Sequence, residues 1–503
     1  MDRDRHGDLP ALRATIRLGG PADHALNSLS VFDVEFYPYS RPGADAVFAV
    51  CSGPHAIVCR CVVARDCAIE VLHWFQMDPQ GPQHHDAKAP STRPLYNSLT
   101  WSRAANGDAL LLAAGAGSHA IHVFNVSTKE LVTTLIGHGD DINDMAVSPA
   151  DPTILASCSV DHSLRLWSLA PAHAKQPLAA ICYGQGHRQQ ILTLAYHPTG
   201  RFILSADMDT KINLWLVPDA TVEHAGTDKP LMIHYPHFAT TEVHTDFVDC
   251  IQWYHDLIFS HACREDKIIM WKIDGFSSDH AHIPDAPIPT SMAIKSTTPV
   301  TVPTNSTSGT RSAWGGRLQR LLQFHLPNTN QFYMRFSIFH ELGRHPILVA
   351  GNEKSKAFFW DLQRLEHAGT GADESGQTKR PTLLPLPQHV REPSVASDAS
   401  SALSTASAAS KSKRKKAKRN DTPEEPRDRG ISDPFMSIKA HKIIEVPKYL
   451  FAFRQFAWSR DGQWCVGVAD SGLINVFHRW EKGIPPIKTE SQTSCYPSAS
   501  KPI

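Results

Sequence analysis

The chain has 503 residues, 50 Lys+Arg against 50 Asp+Glu, and a formal net charge of zero. That balance supplies no global field to attract nucleic acid, and none of its apolar runs approaches the roughly 18 residues of a membrane span. The opening MDRDRHGDLP lacks the apolar centre of a secretory signal, and the ten cysteines form no C-x-x-C zinc frame, so reduced thiols are expected throughout.

In chain order, residues 1–28 are polar and predict a flexible segment, although Thr15-Ile16-Arg17-Leu18 could form a strand. From residue 29 to 486 the chain reads as short alternating strands between turn signals. A first group of four is expected at Val31–Tyr37, Ala46–Cys51, Ile57–Val63 and Ile69–Phe75. After a polar loop, Asp78–Arg93, a second group covers Leu95–Trp101, Leu110–Ala114, Ile121–Phe124 and Leu131–Leu135.

The next stretch carries one pattern twice. Gly137-His138 is followed 23 positions after the histidine by Asp161, and six later by Trp167. Gly186-His187 is followed 22 positions after the histidine by Asp209, and again six later by a tryptophan, Trp215. A repeat of this length and internal spacing marks blades of a WD40-type propeller, whose four-stranded sheets bury their faces only by stacking in a ring. In such a blade the aspartate sits in a turn and bonds the histidine, while the tryptophan packs between blades. His138–Asp161 and His187–Asp209 are therefore expected as structural pairs and not as acid/base dyads. A fifth blade is degenerate, with His244 and Trp271 but Glu265 where an aspartate is expected, which predicts a looser turn. A sixth includes Met334–Ile338, Ile347–Ala350 and Ala357–Asp361, and a seventh Phe453–Trp458, Trp464–Val468 and Ile474–Phe477.

Two insertions interrupt the ring. Residues of about 277–312 are rich in Pro, Ser and Thr, and those of about 366–433 in Ser, Ala and charge; both compositions predict disorder. The second holds Lys411-Ser-Lys-Arg-Lys-Lys-Ala-Lys-Arg419, seven basic residues in nine. That run reads as a nuclear import signal, as an arm against nucleic-acid phosphates, or as a merely solvated charge run. Residues 487–503 read as a tail. The fold class expected is all-β, a seven-bladed WD40 β-propeller with two long disordered insertions.

Several stretches resemble one WD40 family, the EED/ESC subunits of Polycomb repressive complex 2. They are Val31-Phe-Asp-Val-Glu-Phe36, Ile136–Trp167, Val248-Asp-Cys-Ile-Gln-Trp253, Phe332-Tyr-Met-Arg-Phe-Ser337, Phe358-Phe-Trp-Asp-Leu362 and Phe453-Arg-Gln-Phe-Ala-Trp-Ser-Arg-Asp461. The resemblance implies a nuclear, non-catalytic subunit of a histone methyltransferase complex that represses transcription. Its expected partners are a trimethyl-lysine histone tail at one channel mouth, a SET-domain methyltransferase on the opposite face and other Polycomb subunits. No membrane, sequence-specific nucleic acid, metal or cofactor is expected, and no catalytic residue.

By resemblance, Phe32, Phe332 and Tyr333 match aromatic walls of a methyl-lysine cage, and Arg454 matches an arginine beside it. The remaining wall is Tyr96 if one bulge shifts the strand, or Asn97 if the alignment from Trp101 runs without a gap. Aromatic faces suit a trimethylammonium, which has no N–H to donate but is drawn to the ring quadrupole. The alternative is a WD40 assembly scaffold, such as a ubiquitin-ligase substrate adaptor, that reads no methyl-lysine. A propeller hydrolase would need carboxylate or histidine clusters converging on the channel.

Overall fold

The computed structural model describes residues 9–19, 28–41, 43–63, 67–76, 95–219, 221–288, 309–341, 343–368, 431 and 433–479. They form seven sheets of four or five strands, antiparallel except where Leu231–Ile233 and Ser437–Ile438 add in parallel at the rim, arranged as the blades of a propeller. In each blade the sequence order of the strands is the spatial order from channel to rim, except where the ring closes. There the last blade takes three strands from the C-terminal part, Phe453–Trp458, Trp464–Ala469 and Leu473–His478, and its rim strand, Ala11–Arg17, from the N-terminal part. Leu12 pairs with Phe477, Ala14 with Val476 and Ile16 with Ile474. Residues 11–17 thus depart from the flexible segment expected for 1–28: their apolar alternation matches the register of the seventh blade.

Seven hydrophobic clusters hold the ring, one at each boundary between neighbouring blades. Trp167, for instance, lies with Leu110, Leu112 and Ile121 of the second blade, and Trp215 with Ala156, Cys158 and Leu164 of the third. Because each sheet is apolar on both faces, it reads as strands with nearly every residue buried, such as Ile154–Ser159 and Trp464–Ala469.

The insertions are partly visible. Residues 277–288 and 309–312 are described, and Arg311–Ser312 forms a strand against Phe238–Ala239 of the fourth blade. Leu362–Ala368 is a helix, so the second insertion is ordered at its start. The basic run Lys411–Arg419 and the tail from residue 487 lie outside the described residues, as does most of both insertions. The fourth, fifth and sixth blades each send the connection before their rim strand back to the blade before. Leu231–Ile233 pairs with Ala180–Cys182 of the third, Arg311–Ser312 with the fourth, and Ser437–Ile438 with Gln323–Phe324 of the fifth. Among the described residues eight cysteines are free and buried, in keeping with the reduced thiols expected, but Cys67 is disulfide-bonded. Among the described residues no helix is long and apolar enough to cross a membrane.

Candidate functional site

Three blades carry a buried chain of hydrogen bonds. In the third, Trp167 Nε1 donates to Ser157 Oγ at 2.8 Å, Ser157 meets His138 Nε2 at 2.7 Å, and His138 Nδ1 meets Asp161 at 2.9 Å. A serine has one proton to give. Since its oxygen already accepts from tryptophan, the hydroxyl donates to Nε2, which leaves the proton of a neutral imidazole on Nδ1, facing the carboxylate. The fifth blade repeats this with Trp271, Ser260, His244 and Glu265. Glu265 does not loosen its turn. Its oxygens reach His244 at 2.8 Å and the amide and hydroxyl of Thr245 at 2.6 and 2.7 Å, while left-handed backbone at Arg264 and Asp266 absorbs the extra methylene.

In the fourth blade the partner of His187 is Asp207, at 2.7 Å, and not Asp209. Asp209 is exposed. The cause lies two residues upstream. The third blade has Ser159 at the end of its second strand, where the fourth has Asp207. Asp207 Oδ2 faces His187 while Oδ1 accepts the amides of Asp209 and Lys211, so one carboxylate both closes the turn and holds the ring.

Burial pushes His138 and His244 below the ordinary imidazole range, against the pull of Asp161 and Glu265. Although burial opposes their charge, the histidine bonds hold Asp161 below the usual carboxylate range and Glu265 at about 2. The sign follows: a histidine kept neutral in the fold contributes stability above its unfolded value of about 6.5, and that stability is lost as pH falls below it. The two carboxylates add a further loss only as pH falls through the acid range. We expect these two histidines to contribute a loss of at most about 2 kcal/mol each between pH 7.5 and 5, read as the difference between the parent and a variant that lacks them. Urea unfolding of the parent and of a His138→Gln/His244→Gln variant at both pH values measures it. An equally steep fall in the variant would assign the loss to other groups.

The first strands of the blades line a central channel of about 400 Å³, to which all seven blades contribute. One mouth is crossed by the segment 332–336. Strand was expected from Met334, but pairing begins only at Ser337. Tyr333 is left-handed, with φ of 61°, and directs the segment across the opening. Both neighbouring blades and one across the ring hold it there: the Met334 amide donates to Asp249 at 3.2 Å, the Arg335 amide to the Arg454 carbonyl at 2.8 Å, and the Tyr333 hydroxyl to the Asn143 carbonyl at 3.2 Å. Arg335 then enters the channel, bonding Asp144 at 2.9 Å and the Leu192 carbonyl at 3.1 Å, with its guanidinium 5.0 Å from the centre of the Tyr333 ring. Burial opposes its charge, but Asp144, then Tyr333 and Asp33, hold it firmly protonated. Asp33 lies nearby; burial pushes its carboxyl up to about 6, against Arg335 and the amides of Leu99 and Val34.

Above this plug four of the expected residues converge. The Phe32 and Tyr333 rings meet edge-on at 6.4 Å, and Phe332 and Tyr333 at 4.3 Å. Arg454 stands 5.9 Å from the Phe32 ring centre and is pinned by two bonds to Asp470, one to the Phe332 carbonyl and one to Gln331. Phe332 is 37% exposed, Phe32 half-buried, and Tyr333 8% exposed, so the rings offer an apolar corner open to one side.

Tyr96 is not among them. It is fully buried in the cluster between the first two blades, with its ring 5.8 Å from His122 and its hydroxyl without a hydrogen bond. A bulge does occur, but at Asn97: Tyr96 pairs with Gly115 and Ser98 with Ala114. The first blade bulges between Val31 and Asp33 in the same way, so Asn97 occupies the place that Phe32 holds there. Its Oδ1 makes no hydrogen bond. Sequence reasoning missed Arg335, whose signal was a cation amid the apolar Phe332–Ser337, and Asp470, the anchor of Arg454.

The WD domain, G-beta repeat model matches residues 129–168 and 180–215, each running from the rim strand of one blade through the first three strands of the next. Over 381 residues the chain is 42% identical to the Polycomb protein EED of Chaetomium thermophilum, covering 73% of this chain but 64% of that protein, a little under two thirds of its length. It is 27% identical over 256 residues to the Polycomb protein esc of Drosophila melanogaster, covering 48% of this chain and 56% of that one. A crystal structure of the Chaetomium thermophilum polycomb repressive complex 2 contains a chain that matches with a TM-score of 0.72 and 33% identity, over 95% of this chain and 99% of that one. A chain of the same complex solved with H3K27me3 matches with a TM-score of 0.71 and 33% identity, over 94% and 98%. With the two-fold pattern, the closed ring and these matches together, the chain belongs to the EED/esc family of Polycomb WD40 proteins.

Proposed function

We propose that this chain is the non-catalytic reader subunit of a Polycomb-type histone methyltransferase complex in the nucleus. It takes a trimethyl-lysine side chain of a histone tail between Phe32, Phe332 and Tyr333, and carries a SET-domain methyltransferase on the opposite face. The supporting observation is the convergence at one channel mouth of three rings from two distant parts of the chain, Phe32 and the pair Phe332-Tyr333, fixed by Arg454 and the Tyr333–Asn143 bond. A quaternary ammonium gains about 0.5–2 kcal/mol from each desolvated ring face, and a lysine ammonium would forfeit more hydration in entering. The relatives' occurrence in polycomb repressive complex 2, once with H3K27me3, supports the same partners.

The scaffold reading has one observation in its favour: Asn97 stands where another ring would complete the enclosure. Calorimetry with trimethylated and unmethylated histone peptides decides between them. Phe32→Ala and Tyr333→Ala should each weaken the trimethylated peptide about tenfold while methyltransferase binding persists. Arg454→Ala should weaken it as well, by releasing Phe332. Asn97→Tyr should tighten it, since it adds a ring at the open position. Equal affinity of the parent for the two peptides would remove the reader and leave the scaffold.

A further inference from the structure

We propose that His119, Asp140 and Asp141 form a binding site for a divalent first-row transition-metal ion that clips the second blade to the third. His119 lies in the turn between Ala109–Ala116 and Ala120–Asn125, and the two aspartates lie in the segment that enters the third blade at Ile142. Asp470 occupies the corresponding turn of the seventh blade, so the site shares the face of the Phe32–Tyr333 corner but does not depend on any ligand there.

The distances set His119 apart. Six other histidines among the described residues face a carboxylate at 2.7–3.2 Å, the range of a direct hydrogen bond. His119 Nδ1 stands 3.8 Å from Asp140 Oδ1 and 3.9 Å from Asp141 Oδ1. It is shielded from solvent and has no hydrogen-bond partner. A donor atom from each of the three lies within 4.8 Å of the others. Two ligands of one ion with bonds of about 2.1 Å sit about 3.0–3.5 Å apart, so the two His119–carboxylate gaps exceed that spacing by a few tenths of an ångström, and rotation of the part-exposed side chains brings the donors onto a shared cation. A proton does not bridge such gaps.

The scaffold is already set. Asp141 Oδ1 accepts the Gly117 amide at 2.7 Å across the blade boundary, which holds that carboxylate beside the His119 turn. His119 is left-handed, with φ of 50°, a conformation a non-glycine residue adopts at a cost. Side-chain exposures of 45%, 49% and 33% leave room for water to complete the coordination. One imidazole with two carboxylates suits zinc, manganese, cobalt or nickel; the absence of thiolate from the set disfavours cuprous ion.

The test is calorimetric titration of zinc chloride, and separately manganese chloride, into the metal-free full-length chain. His119→Gly is the informative variant, because glycine accepts the left-handed backbone and the fold should survive. Asp140→Asn/Asp141→Asn keeps the amide acceptor. The parent should bind one ion with saturable heat, and the metal should raise its thermal midpoint. Both variants should lose at least about tenfold in affinity and most of the thermal shift, while His340→Ala, a surface-histidine control, binds as the parent does. Parent-like binding by His119→Gly, or no saturable binding by the parent at millimolar metal, overturns the proposal.

Discussion

Asp144→Ala should lower the free energy of unfolding by about 3–5 kcal/mol, the range for stripping one partner from a buried ion pair. Asp144 joins four blades. One oxygen faces Arg335 of the sixth at 2.9 Å and Ser98 of the second at 3.4 Å; the other accepts from Thr193 and Leu194 of the fourth at 2.9 and 3.1 Å. Without it the guanidinium keeps the Leu192 carbonyl and the Tyr333 ring but no bonded anion, in a channel where Arg335 is 6% exposed. The charge dominates this cost, so Asp144→Ala/Arg335→Met should recover much of it, because no buried charge is orphaned and only the neutral donors of Thr193 and Leu194 lose their acceptor. Urea unfolding of the parent, the single and the double variant measures both steps. A single variant within about 1 kcal/mol of the parent would mean that Asp33 compensates the arginine.

Trp215→Ala should cost about 3–5 kcal/mol through the cavity it leaves. The ring is 1% exposed and packs against the third blade. Its fit is tight enough that a Cβ at Gly186 would lie 2.3 Å from it. The substitution also deprives Ser205 of the donor that fixes the direction of the serine–histidine bond. Trp215→Phe keeps much of the packing but loses that donor, so the difference between the two variants separates volume from hydrogen bonding. Near-parental stability of the alanine variant would show that the boundary between the third and fourth blades collapses around the gap.

Much of the ring was legible because its signals are local and periodic. Gly-His, a turn acid and a terminal Trp recur within single blades, and alternating strands identify the rest. The errors occurred where a contact joins residues that local spacing does not relate. Asp209 had the right distance from Trp215, but Asp207 already satisfied both the turn and His187. Tyr96 was one residue from a possible wall, and the side of the bulge decided which way it faced. Phe32, Phe332, Tyr333 and Arg454 came from resemblance, since nothing in their spacing brings positions so far apart to one mouth. Arg335 needed the closed ring to be seen, because its anion lies 191 residues away.

The strands that the fourth, fifth and sixth blades lend backward make that arc of the ring an overlapping chain. The sixth blade cannot detach without peeling Ser437–Ile438 from the fifth, nor the fifth without freeing Arg311–Ser312 from the fourth, nor the fourth without releasing Leu231–Ile233 from the third. Nearest-neighbour coupling in a repeat protein is the interface term between adjacent repeats. Here backbone bonds cross three successive joints in one direction, so local opening in the arc from the third blade to the sixth becomes a shared event. Among the described residues the first two blades are joined to their neighbours without such loans, and are left to breathe more independently.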